Sequence, residues 1–92
     1  MKIKWLRRAL RNLEILYTYI SSDDADAARQ TIVRIQDAVN QLAQYPFMGR
    51  YGRVEGTREL VIANTPYLVI YRVKEETVQI IRLLHASRKY PE

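Results

Sequence analysis

Cysteine is missing from all 92 residues, and histidine occurs once, at position 85. Without thiols there is neither a disulfide framework nor a cysteine-based zinc site, and a single imidazole does not make a metal centre. There is also no Gly-rich phosphate loop, no HExxH pair and no carboxylate pair at a telling spacing, so no metal or cofactor is expected. Long apolar runs are lacking too. The opening "MKIKWLRRALRNLEIL" interrupts its apolar positions with charges and offers neither a signal-peptide core nor a membrane span, which favours a cytoplasmic chain. A sequence this short leaves room for one domain, residues 1–92, and buries only about 60–65% of its unfolded surface, so its core must be economical.

What is plentiful is positive charge. Fifteen Lys and Arg face ten Asp and Glu, a net +5 that favours an acidic partner such as nucleic acid, a nucleoprotein machine or an acidic protein segment. Lys2, Lys4, Arg7, Arg8 and Arg11 all precede the first acid, Glu14, whereas Asp23, Asp24 and Asp26 cluster further on.

Leu6, Leu10, Leu13, Tyr17 and Ile20 step by four and three, the spacing of one stripe on a helix. "SSDD" then supplies capping oxygens and acids suited to the positive end of a second helix, on which Ala28, Ile32, Ile35, Val39 and Leu42 repeat the stepping until Tyr45-Pro46 ends it. A short turn between two such helices makes an antiparallel hairpin. All three glycines lie in "PFMGRYGRVEG", which reads as an irregular loop pinned to the helices by Phe47 and Met48, with binding as its second reading. Beyond it "RELVI", "YLVIYRV" and "TVQIIRLLH" are rich in β-branched and aromatic residues and are divided by "ANTP" and "KEE", the pattern of a three-stranded meander. "KIKW" offers a further edge strand. The expected fold is α+β: a short N-terminal strand, a helical hairpin on one sheet face, and an antiparallel meander. Plain alternation puts Val78, Ile80, Arg82 and Leu84 on one side of the last strand, and Gln79, Ile81, Leu83 and His85 on the other.

The residues able to do chemistry collect near the end of the chain. Metal-independent RNA cleavage needs a base for the ribose hydroxyl, cations for developing phosphate charge and an acid for the leaving oxygen, and Arg82, His85, Arg88 and Tyr90 include those types. Taken singly each has a plainer role: His85 as a strand-end hydrogen-bonding group, Arg82 as a snorkelling side chain, Arg88 and Lys89 as surface cations. Tyr17, Tyr67 and Tyr71 fall on apolar stripes and read as core, which leaves Tyr51 and Tyr90 as the rings more suited to stacking.

Taken together, the helical hairpin followed by "PFMGR", "TRELVI", "PYLVIYRV" and "VQIIRLLHASRKYP" resembles the RelE/ParE superfamily of toxins from bacterial toxin–antitoxin modules, over nearly the whole chain. The resemblance implies a toxin silenced by a cognate antitoxin whose C-terminal segment wraps over the helices and sheet. Leu10, Leu13, Tyr17 and Ile35 are the expected antitoxin contacts, with Leu10, Leu13 and Ile35 also in the core. It further implies one of two targets: RelE-like members cut mRNA on the ribosome, and ParE-like members block DNA gyrase. Glu59, Val61 and Leu68 stand where RelE-like nucleases carry lysines and an arginine, and only Arg88 matches a later arginine. The ending "LHASRKYP" is more similar to ParE proteins. The expectation is therefore a gyrase inhibitor that contacts its target through Arg58, Arg82, His85, Arg88, Lys89 and Tyr90, with a ribosome-dependent mRNA endonuclease using Arg82, His85, Arg88 and Tyr90 as the alternative.

Overall fold

The structure, a computed structural model, describes residues 1–91. In chain order it contains β1 (Lys2–Trp5), α1 (Arg7–Ser21), α2 (Ala25–Gln41), β2 (Arg50–Tyr51), β3 (Arg58–Val61), β4 (Tyr67–Lys74) and β5 (Thr77–His85). The strands form one sheet in the order β1-β5-β4-β3-β2. β2 to β5 are antiparallel to their neighbours, whereas β1 joins β5 in parallel, with Ile3 opposite Val78. The α+β expectation holds, and β1 is the edge strand foreseen for "KIKW". The glycine-rich loop differs from its reading, because two of its residues form a fifth strand.

The second helix starts where the sequence places it. Asp24 is extended, its Oδ1 accepts from the Ala27 N–H at 3.0 Å, and Asp26 lies in the first turn near the positive end of the dipole. α1 has no such cap: Leu6 makes no side-chain capping bond, and its N–H instead continues the sheet by donating to the Ile80 carbonyl. The β4–β5 hairpin turns on Glu75 and Glu76, with φ of 52° and 58°. Two left-handed residues match the twist of the flanking strands, but glutamate adopts this conformation less readily than Asn-Gly would.

The core lies between the helices and one sheet face. Ala9, Leu16, Ile35, Val39 and Leu42 pack on Leu60, Ile62, Val69, Tyr71, Val78, Ile80 and Leu83, flanked by Leu13 and Ile20. On α1 this corrects the expected stripe. The sheet takes the line Ala9, Leu13, Leu16, Ile20, while Leu10 and Tyr17 are 44% and 40% exposed. The two stripes share Leu13 and Ile20, so periodicity alone does not separate them. A smaller cluster of Leu68, Ile70 and Leu84, joined by Ile81 and Tyr90, occupies the other sheet face.

One irregularity decides which side the end of β5 presents. Ile70 pairs with Arg82 but Tyr71 pairs with Ile80, so Ile81 is an extra residue in the ladder. A bulge inverts the alternation downstream of it. Val78 and Ile80 therefore share the helix face with Leu83, and Arg82 and Leu84 lie on the open face with Ile70 and Leu68. The expected grouping of Val78, Ile80, Arg82 and Leu84 holds only within each half of the strand.

Candidate functional site

β1 stops at Trp5, opposite Ile80, and beyond that point no strand lies beside the edge of β5 among the described residues. Asn12, one turn into α1, takes over. Its Oδ1 accepts from the Leu83 N–H at 3.2 Å and from Arg82 Nε at 3.0 Å, so a side-chain amide replaces the missing strand partner and draws Arg82 around the sheet edge. Arg82 is consequently only 5% exposed. This corrects its expected place on an accessible target surface: the guanidinium joins sheet to helix.

Between α1 and the end of β5 lies a groove of about 380 Å³, lined by Asn12, Ile15, Leu16, Tyr19, Tyr67, Leu83, Leu84, His85 and Arg88. His85, exposed at the strand end, meets the Tyr67 ring edge-on, with centroids 5.6 Å apart at 86°. Its Nδ1 accepts from the Ser87 N–H at 3.1 Å and lies 2.7 Å from Ser87 Oγ, which leaves Nε2 as the nitrogen for proton exchange or a donor bond. Burial, and then the nearby Tyr19, push the Tyr67 phenol up.

Tyr90 belongs to the opposite side. Its ring packs on the open-face cluster of Leu68, Ile70 and Leu84, and its carbonyl accepts from Arg53 Nη1 at 3.2 Å. Lys89, next to it, is exposed. The sequence pattern predicts a single surface for His85, Arg88 and Tyr90, and the structure brings together only the first two.

Arg58 lies further off, on β3. Its guanidinium sits 4.6 Å from the Tyr51 ring centroid and 5.2 Å from that of Phe47, and it donates to the carbonyls of Phe47 and Gly49. Those bonds hold the 46–51 segment, so Arg58 buttresses the loop. Phe47 and Met48, expected to pin this loop to the helices, are exposed. Two buried groups hold it instead. Tyr71 hydroxyl accepts from the Gly49 N–H at 2.9 Å and donates to the Pro46 carbonyl at 2.8 Å; a Cβ on Gly49 would stand 2.6 Å from that oxygen, which explains the glycine. Glu59, 3% exposed, accepts from Arg50 Nη2 at 3.1 Å and from the Arg53 N–H at 3.3 Å. Sequence reasoning missed Glu59 and Asn12 as organising residues. A carboxylate inside an apolar strand could have signalled the first; nothing local marks the second.

Of the residues expected to meet an antitoxin, Leu10 and Tyr17 are exposed, Leu13 is half-buried and Ile35 is fully buried. Ile35 therefore offers a partner no side-chain surface. Leu13, Tyr17 and Ile32 line a shallow second groove of about 380 Å³, with Glu14 and Thr18. Among the described residues no group of three or more His, Cys, Asp or Glu side chains could hold a metal ion, and no helix is long and apolar enough to cross a membrane.

Comparison with known proteins adds to this geometry. Residues 3–90 match the family model described as the ParE toxin of the type II toxin–antitoxin system parDE. The chain is 45% identical over 91 residues to the putative toxin Y4kP of Sinorhizobium fredii, covering 99% of this chain and 94% of that protein. It is 36% identical to toxin RelE2 of Caulobacter vibrioides, over 95% and 97% of the two chains. A chain of the chromosomal ParDE system from P. aeruginosa superposes with a TM-score of 0.82 at 28% identity, covering 92% of this chain and 95% of that one. The E. coli RelBE toxin–antitoxin complex shares the fold, with a TM-score of 0.66 at 14% identity over 95% and 98% of the chains. The protein belongs to the ParE toxin family of type II toxin–antitoxin systems.

Proposed function

We propose that this toxin inhibits DNA gyrase by binding it, and that a cognate antitoxin silences it by covering the helical hairpin and the α1–β5 groove. The observation that carries the first part is the separation of His85 from Tyr90. A ribonuclease without a metal needs its base, its acid and its cations to converge on one phosphate. Here His85 faces the α1 groove, Tyr90 packs on the open sheet face, Arg82 is engaged with Asn12, and Arg50 and Arg53 are bound to Glu59. Such an arrangement suits recognition better than bond cleavage. For the second part, Leu10, Ile15, Tyr17, Tyr19 and Val33 leave apolar surface exposed on both helices, of the kind that an amphipathic segment covers.

One observation favours the nuclease alternative: His85 is exposed beside Arg88, with its Nδ1 already engaged by Ser87. A supercoiling assay with purified gyrase, run beside a translation reaction in which mRNA ends are mapped, separates the two. Lost supercoiling with intact mRNA is the expected result. Codon-positioned mRNA cuts with normal supercoiling, abolished in His85→Ala, would overturn the gyrase reading.

A further inference from the structure

The β1 end of the open sheet face carries a pattern that neither target reading uses. Strand register places Lys2 opposite Thr77, and Thr77 opposite Lys74; two residues along, Lys4 is opposite Gln79, and Gln79 opposite Arg72. Each triplet is a row across three strands with a cation at both ends, and the pleat directs both rows to the face away from the helices. Arg72 is held in its row by a 2.6 Å bond from Nε to Gln79 Oε1. All four cations are exposed. The rows are about 7 Å apart along the strands and about 10 Å wide across them. Glu75 and Glu76 lie beyond one end, in the hairpin turn.

From this juxtaposition we propose that Lys2, Lys4, Arg72 and Lys74 form a docking site for the phosphate backbone of duplex DNA. Charge complementarity selects a polyanion, and what else the rows contain selects its kind. Thr77 and Gln79 are polar, so the patch has no apolar anchor of the sort that dominates protein interfaces. Among the described residues neither row contains a ring: Trp5 and Tyr71 lie on the helix side of the sheet, and Tyr90, on the open face, is packed against Leu68, Ile70 and Leu84, so the rows themselves offer the bases of a single strand no aromatic platform. A duplex needs neither, because it offers regularly spaced phosphates and gains affinity from counterion release. The site is independent of the gyrase reading, since DNA would be bound by the toxin alone.

The test is fluorescence anisotropy of a labelled 20-base-pair duplex titrated with the isolated full-length toxin between 50 and 200 mM salt. Four phosphate contacts predict a slope of log K against log salt near −3.6, or roughly a hundredfold loss of affinity over that range. Replacing all four cations with glutamine should flatten the slope, and Lys2→Gln with Lys4→Gln should roughly halve it, with circular dichroism unchanged because all four side chains are exposed. Arg29→Gln with Arg34→Gln, on α2, should leave the slope as it was. The proposal is overturned if the fourfold variant keeps the wild-type slope, if the α2 variant loses as much, or if single-stranded RNA or poly-glutamate binds more tightly than the duplex.

Discussion

The helical layer and the sheet layer of this small toxin present surfaces of opposite character. Residues 7–44 carry Arg7, Arg8, Arg11, Arg29 and Arg34 against Glu14, Asp23, Asp24, Asp26 and Asp37, so the hairpin is neutral and the entire net charge of +5 belongs to the strands and loops. The helices instead leave apolar side chains exposed, Ile15 at 59% and Tyr19 at 75% among them. One layer suits a partner that buries surface, and the other suits a partner that carries negative charge. A chain of this size can hold both because its core needs only one side of each helix and one side of the sheet.

The comparison is sharpened first by core and surface positions on the hairpin. Ile35→Ala should cost about 2–5 kcal/mol, because the side chain is fully buried between the layers and leaves a cavity. Leu10→Ala, at a half-exposed site, should stay below about 1 kcal/mol while weakening capture by the antitoxin. Urea denaturation of both variants decides this; equal losses would return Leu10 to the core.

The joint between the layers comes next. Asn12→Leu removes the acceptor that serves both the Leu83 N–H and Arg82 Nε, and stranding a buried donor should cost about 1–3 kcal/mol. Hydrogen exchange at Leu83 should accelerate in that variant more than at Val78, whose strand is paired on both sides. Uniform acceleration would mean that Asn12 is not the local substitute for β1.

The smallest effect is alkaline. Burial raises both the Tyr67 and Tyr71 phenols above their ordinary value, with Tyr19 adding to the first, and the Gly49 N–H and Arg58 partly opposing the second. The folded state thus holds these protons more tightly than the unfolded chain does. Their contribution is fully present below about pH 10 and is lost as pH rises through the folded values. Midpoints of urea denaturation measured from pH 8 to 11 should begin to fall near pH 10. Tyr71→Phe should reduce that fall, at the expense of the bonds to Gly49 and Pro46.

Much of this was legible in the residues themselves. Asp24 announces the cap of α2, Pro46 stops the helical pattern, and the dense β-branched runs after Gly56 define three strands, because each signal acts within a few residues of itself. On α1 the core line replaces Leu10 and Tyr17 with Ala9 and Leu16, because Leu13 and Ile20 belong to both candidate lines and only contact with the sheet selects between them. The candidate site was legible as residue types and not as a place. His85 and Arg88 share a groove, whereas Tyr90, only two residues beyond Arg88, packs across the sheet from them.

By itself the sequence determined the element types, their order, the neutral hairpin and the surplus of positive charge, all of which follow from local spacing and composition. Tertiary structure alone decided that β1 would lie parallel to β5, aligning Lys2 and Lys4 with Lys74 and Arg72, that Ile81 would bulge and put Arg82 on the open face, and that Asn12 would draw its guanidinium back around the sheet edge. Strand pairing and bulges are settled by which distant backbone groups find partners, and a single extra residue in a ladder reverses the facing of every side chain beyond it.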